Sequence, residues 1–237
     1  MCTVSFIPAR GKVFITSNRD ESAQRPPALA PLQENFGRYS FLAPKDALAG
    51  GTWSALRNDA SALVLLNGAF EKHRPQPAYR KSRGQIFWDV FATDCPITAF
   101  GRIDLRDIEP FTLVFWQKGE LYEMRWDGNR KTQMQKDAGM AHIWSSCTLY
   151  PTDSRKYREN FFQQWLASQI DYSVATIHRF HLYVDPAGDE GKNIRINRKG
   201  KMLTVSVSCM EISRKLSTFH YSDLVQVKNF RLPLCNE

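Results

Sequence analysis

Strand-forming segments arrive in pairs joined by short turns, and this pairing restricts the possible folds more than any other feature of the chain. Residues 2–7 are β-rich, Pro8 to Gly11 supply turn chemistry, and residues 12–17 read as the returning strand. Residues 52–57 and 62–66 flank Asn58-Asp59, and residues 111–117 and 120–126 flank Lys118-Gly119. Further strands are expected near 131–135, at 142–146, and at 193–197 and 202–212 around Lys199-Gly200, the last two closing the chain. Residues 62–66 are continuously apolar, as in a strand buried on both faces. Helical spacing appears at Ile86, Phe87, Val90 and Phe91 within residues 82–93. It recurs at Tyr157, Phe161, Phe162, Trp165 and Leu166 within residues 151–167, and shorter helices are expected at 96–105 and 173–181. Residues 22–48, with Pro26, Pro27, Pro31 and Pro44, read as an ordered surface loop. Hairpins followed by helices and then hairpins predict an α+β fold of antiparallel sheets covered by helices, not an alternating parallel sheet. No repeat or composition shift divides residues 1–237, so one domain is expected.

Composition narrows the classes. Of 237 residues, 43% are hydrophobic and 12% aromatic, enough for a filled core. No apolar run approaches the roughly 20 residues of a membrane-spanning helix, and the first residues lack a secretory pattern, so a cytoplasmic location is expected. The net charge of +8 suggests an anionic partner, but the basic residues are dispersed and match no nucleic-acid module. No nucleic acid is therefore expected as a partner. The five cysteines (positions 2, 95, 147, 209 and 235) contain no CxxC pair and form neither a disulfide framework nor a zinc pattern. His178 and His181 lack ligating neighbours in the sequence, so packing is expected of them, and no metal or cofactor is called for.

Cys2 stands apart by position. Methionine aminopeptidases remove Met1 when the second residue is small, leaving a thiol beside its own free α-amine. That amine has a pKa of about 8, near enough to a thiol's 8.5 or so to take its proton. Nucleophile and base then share one residue. Asn18-Arg19-Asp20-Glu21 ends the returning strand of the first hairpin, so a carboxylate there could hold the amine. Asn67-Gly68 ends the apolar strand, where a fixed amide could serve an oxyanion hole. Read blandly, these are a solvated strand end and a turn.

Met1-Cys2-Thr3, Asn18-Arg19-Asp20-Glu21, Gly50-Gly51-Thr52-Trp53 and Asn67-Gly68 together resemble, in order and spacing, the NRDE family, that of the transport-and-Golgi-organisation protein. Ser82-Arg83-Gly84 and residues 144–150 resemble its bacterial members. The resemblance implies a four-layer αββα sandwich similar to the N-terminal-nucleophile amidohydrolases, with choloylglycine hydrolases and penicillin V acylases as characterised relatives. It implies Cys2 as nucleophile, Asp20 as the contact of its amine, and Asn67 as an oxyanion-hole donor. Those relatives carry an arginine three residues before the aspartate, where this chain has Ser17. Arg19 either substitutes for that cation or pairs with a carboxylate, and the sequence leaves both open. Asn18, Trp53 and Gly68 are candidate substrate contacts. Gly50-Gly51 is expected to allow a close backbone approach, and Ser145, Ser146 and Thr148 to line a pocket or form a turn.

The expected function is hydrolysis of a linear amide or related acyl bond in a small-molecule substrate through Cys2. The rival is a non-catalytic carrier or trafficking protein for heme or lipid on the same fold.

Overall fold

Period-two alternation of apolar and polar side chains drives most of this chain into sheets, and the turns fix which strands meet. The structure is a computed structural model and describes residues 3–236. β1 (Thr3–Ala9) and β2 (Lys12–Ser22) form the opening hairpin. A meander follows: β3 (Leu29–Phe36), β4 (Tyr39–Lys45), β5 (Ser54–Arg57) and β6 (Ala62–Asn67). After helices α1 (Arg83–Phe91) and α2 (Pro96–Arg102), the meander resumes with β7 (Phe111–Gln117), β8 (Glu120–Trp126) and β9 (Lys131–Lys136). The chain then crosses to β10 (His142–Ser145), α3 (Thr152–Ser168) and α4 (Val174–His181). It closes with β11 (Asn197–Arg198), β12 (Met202–Ser213), β13 (Leu216–Asp223) and β14 (Lys228–Cys235).

The meander makes one antiparallel sheet in sequence order, β3 to β9. The other runs β10-β1-β2-β12-β13-β14, with β11 on β12. Val4, Phe6, Val13 and Ile15 of this second sheet pack against Leu42, Leu56, Val64 and Val114 of the meander, so the sheets stack face to face. The meander's outer face carries Leu63, Leu65 and Phe115 against Phe87 and Phe91 of α1 and Phe100 of α2. The opposite outer face carries Ile7, Phe14 and Cys209 against Phe162 of α3 and Ile177 and Phe180 of α4. Four layers, αββα, result as expected. Among the described residues no helix is long and apolar enough to cross a membrane.

Three expectations are corrected. The proline-rich stretch is not a loop: it supplies β3 and β4. Pro31 and Pro44 are tolerated because β3 is an edge strand and the register shifts between Leu29 and Leu32, where a proline need not donate to the ladder. The chain does not end at residue 212, since β13 and β14 extend the sheet. The strand expected at 193–197 shrinks to β11, because Ile194 and Arg195 bond the Tyr183 carbonyl instead of a strand. The helices fall where their apolar stripes place them, although α2 stops at Arg102.

Candidate functional site

β2 does not end at residue 17 but runs on to Ser22, because β12 pairs with it over its whole length. Residues 18–21 therefore lie inside a strand, and alternation divides them between two faces. Asn18 and Asp20 point to the helix layer, whereas Arg19 and Glu21 share the face of Val13 and Ile15 that meets the other sheet.

Asn18 is fully buried. Its amide nitrogen donates to the carbonyls of His181 (2.9 Å) and Ile194 (3.2 Å). Its amide oxygen, 2.6 Å from His181 Nδ1, must then be the acceptor, which places the imidazole proton on Nδ1. Nε2 in turn accepts from the Ser5 hydroxyl at 2.7 Å. Burial, then the nearby His178 and Arg158, depress the His181 pKa to about 3, so the ring is neutral. Serine, histidine and amide oxygen thus align in a closed interior network binding α4 to β1 and β2. Asn18 lines none of the cavities described below.

Asp20 is 3% exposed. One carboxylate oxygen accepts from the Thr204 hydroxyl at 2.6 Å and the other from the Tyr150 hydroxyl. Thr3 pairs with Asn18 on one side and Ser145 on the other, so this end of β1 lies beside Asp20's strand. The Thr3 hydroxyl accepts from the guanidinium of Arg158 at 2.6 Å. Arg158 is wholly buried, donates also to the Asn193 carbonyl, and stacks 3.6 Å over the Tyr150 ring. Cys2 lies outside the described residues.

Arg19 pairs with a carboxylate. Its guanidinium lies 2.8 Å from Asp46 and 3.5 Å from Glu21, stacked 4.5 Å from the Trp53 ring. Asp46 also takes two bonds from Arg25. Burial raises the Asp46 pKa, but the Arg25 bonds, the Ala49 amide and the charges of Arg25 and Arg19 outweigh it and hold the group below the usual range. At the position where the relatives carry arginine, Ser17 is a buried hydroxyl.

Arg19, Trp53 and Asn67 line a cavity of about 410 Å³ together with Tyr79, Arg83 and Glu109. One wall of this cavity comes from the pairing of two glycine segments. Ser82 caps α1 through a reciprocal box with Gln85 and so presents Gly84 to Gly51. Their backbones meet, and the expected close approach at Gly50-Gly51 is found at Gly51.

On the other side of Asn67 lies a second cavity, of about 230 Å³, lined by Gly68, Glu123, Arg125, Lys136, Ser145, Ser146 and Arg155 among others. The Asn67 carbonyl accepts from Ser146 (2.8 Å) and Thr148 (3.3 Å), so the ends of β6 and β10 are tied together. Gly68 has φ of +80°, and a Cβ there would lie 2.5 Å from Cys147 Sγ. Burial raises the Cys147 pKa, against the pull of Arg155 and Arg125. Burial also opposes ionisation of Glu123, but the bond and charge of Arg125 and the Trp144 indole N–H hold its carboxyl below the usual range.

The structure thus brings Asp20, Arg19, Trp53, Asn67 and Gly68 to one end of the stacked sheets and sends Asn18 inward. Sequence reading missed Tyr150, Thr204 and Arg158. Arg158 left a trace: a charged residue one turn before Phe162, on the face α3 buries. Thr204 left none, since its strand joins β2 across more than 180 residues. Among the described residues, no cluster of His, Cys, Asp or Glu could hold a metal ion.

The fold is shared with solved structures. An N-acylethanolamine-hydrolyzing acid amidase ortholog of Caenorhabditis elegans superimposes with a TM-score of 0.58 at 14% identity, covering 88% of this chain and 92% of that one. Two mutant forms of the conjugated bile acid hydrolase of Clostridium perfringens give TM-scores of 0.50 and 0.52 at 10% identity, covering 98% of this chain and 92% of theirs. These are N-terminal-nucleophile hydrolase folds, and at such identities the likeness concerns architecture alone. No curated protein matches the sequence. The sequence profile of the family Transport and Golgi organisation 2 matches residues 1–192, and the chain belongs to that family.

Proposed function

We propose that the protein is an N-terminal-nucleophile cysteine hydrolase that cleaves a linear amide or related acyl bond after Met1 is removed. The Cys2 thiol passes its proton to its own α-amine, and the thiolate attacks the substrate carbonyl carbon. The carbonyl oxygen becomes an oxyanion, stabilised by the Asn67 side-chain amide and a backbone N–H. The amine returns its proton to the leaving nitrogen as the C–N bond breaks, which leaves a thioester on Cys2. Water then attacks the thioester, giving the acid and the free thiol. Asp20 holds the amine, Arg19 and Trp53 wall the substrate cavity, and Gly68 lets β6 turn away beside Cys147. Asn18 acts through the Ser5–His181 network by fixing the strand pair that carries the first residue.

The observation that carries this reading is Asp20. A carboxylate that is nearly buried, gripped by Tyr150 and Thr204, and set on the strand beside Thr3 is suited to orient an α-amine. The face of β1 that bears Val4 and Phe6 looks toward the sheet whose strand β6 ends at Asn67.

Intact-protein mass spectrometry of the natively expressed chain, with and without a cysteine-directed acyl probe, tests it. Loss of Met1 and a single acyl adduct that disappears in Cys2→Ala are expected. Retained Met1, or labelling spread over the other cysteines and unchanged in Cys2→Ala, would refute it. Cys2→Ser abolishes turnover while the fold persists.

A further inference from the structure

The hydrolase chemistry leaves the net charge of +8 unused, and three segments at one end of the second sheet give it a place. In the turn between β13 and β14, Val225 is 54% exposed and Val227 84%. Val227 has φ of +54° and is, among the described residues, the only β-branched one in the left-handed region. Glycine or asparagine would form that turn without strain, so the sequence keeps a strained apolar side chain in water. The turn is held firmly. The Asp223 carboxylate accepts from the amides of Val225 (2.9 Å) and Gln226 (2.8 Å), and the Leu224 amide donates to the Val205 carbonyl. Beside it the turn before β12 exposes Lys199 and Lys201, and Lys228 follows the valines. Residues 23–28 join this end through the Ala23 amide, which donates to the Lys201 carbonyl. The three segments enclose an apolar pocket of about 110 Å³ lined by Pro26, Pro27, Leu203, Val205 and Val225. Both acids of its lining are engaged, Glu21 by Arg19 and Arg25, Asp223 by the turn amides. Among the described residues, Lys199, Lys201 and Lys228 have no carboxylate within salt-bridge distance.

From this arrangement we infer that this end of the sheet docks on an anionic lipid bilayer. Val225 and Val227 enter the headgroup layer, while Lys199, Lys201 and Lys228 meet the lipid charges. The valines and lysines stand on hairpin turns that project from the strand ends, and a deformable surface receives such tips where a protein partner would need a matching cleft. Apolar side chains set among lysines suit the bilayer boundary, where the former leave water and the latter keep it. Each lysine near such a surface contributes roughly fivefold to affinity. Thr204 of β12 pairs with Asp20 at the same strand ends, so docking brings the candidate site close to the lipid. Docking of this kind does not depend on the chemistry of Cys2.

Co-sedimentation of the full chain with vesicles provides the test, using phosphatidylcholine alone or mixed with about 30% phosphatidylserine at about 0.1 M salt. Wild type is expected to bind the anionic vesicles at least about tenfold more tightly than the neutral ones. The variant with Lys199→Ser, Lys201→Ser and Lys228→Ser is expected to lose most of that preference. A control with Arg10→Ser, Lys118→Ser and Lys215→Ser makes the same charge change on turns at the opposite end and is expected to keep it. Val227→Gly removes the strain together with the side chain. It is expected to melt no lower than wild type, yet to bind vesicles several-fold more weakly. No binding to anionic vesicles, equal losses in the two triple variants, or undiminished binding by Val227→Gly would overturn the docking surface. Self-association that Val227→Gly abolishes, seen by analytical ultracentrifugation without vesicle binding, would overturn it in favour of a second copy of the chain.

Discussion

A β-carbon placed on Gly51 would lie 2.7 Å from the carbonyl oxygen of Gly84, closer than side-chain carbons approach backbone oxygens in proteins. The two residues belong to segments more than 30 positions apart, one before β5 and the other in the first turn of α1. Both are glycine because their backbones touch, and the Thr52 amide completes the contact with a long bond to the Gly84 carbonyl, 3.4 Å. The cavity beside Trp53 exists because this seam is narrow.

Gly51→Ala forces that seam apart. Overpacking a backbone contact costs about 1–3 kcal/mol, and urea unfolding is expected to register a loss in this range. Gly101→Ala provides the contrast: it sits within α2, and its nearest outside neighbour is a flexible Gln133 side chain at 3.6 Å. That variant is expected to be neutral or up to about 1 kcal/mol more stable. Similar losses in both would remove the special status of the seam.

The buried imidazole makes stability depend on pH. His181 has a folded pKa of about 3 against an unfolded value of 6.5. A base depressed on folding leaves stability complete above the unfolded value and drains it as pH falls from 6.5 toward 3, because the unfolded chain takes up the proton first. A decline on the order of 1 kcal/mol per pH unit is expected in that window. His178 and His220 are lowered as well, in both cases mainly by burial, and add to the slope. Unfolding curves for wild type and His181→Gln at several pH values between about 7.5 and 4.5 check it. A slope unchanged by the substitution would assign the acid sensitivity elsewhere.

Asp46→Asn removes the acid shared by two arginines, of which Arg19 is only 5% exposed. Glu21 compensates in part at 3.5 Å. A loss of about 2–3 kcal/mol is expected, less than for a buried cation left wholly alone. Thermal unfolding of Asp46→Asn and of the double variant with Arg19→Leu measures it. Removing the stranded cation should recover part of the loss, and no recovery would mean that the carboxylate acts mainly through Arg25 and the turn amides of Leu48 and Ala49.

For the proposed chemistry, Asn67→Ala is expected to lower kcat by about 10²–10³ with little change in KM, since an oxyanion is present only in the transition state. Ser146→Ala, which removes a bond to the Asn67 backbone carbonyl and not to its amide, is expected to cost less. Equal effects on kcat would indicate that Asn67 matters for the strand end and not as a donor. Steady-state kinetics on an acyl conjugate turned over by the wild type distinguishes the outcomes.

Local chemistry fixed the elements whose signals are short-range. The hairpins around residues 58–61 and 118–119 and the striped helices α1 and α3 follow from alternation, turn residues and helical apolar spacing, none of which needs a distant partner. The order of these elements also predicted antiparallel sheets under helices, and the motif spacing pointed to the family, whose resemblance implied the stacked pair of sheets. Tertiary structure decided the rest. Pairing of β2 with β12 drew residues 18–21 into a strand, split them between two faces, and turned Asn18 away from the cavities. It also brought Thr204 to Asp20, while packing of α3 and α4 brought Arg158 beneath Thr3 and His181 beneath Ser5. The physical reason is that periodicity records which face of an element is apolar, whereas a buried polar group is satisfied by whatever donor the fold delivers, and that donor can come from anywhere in the chain.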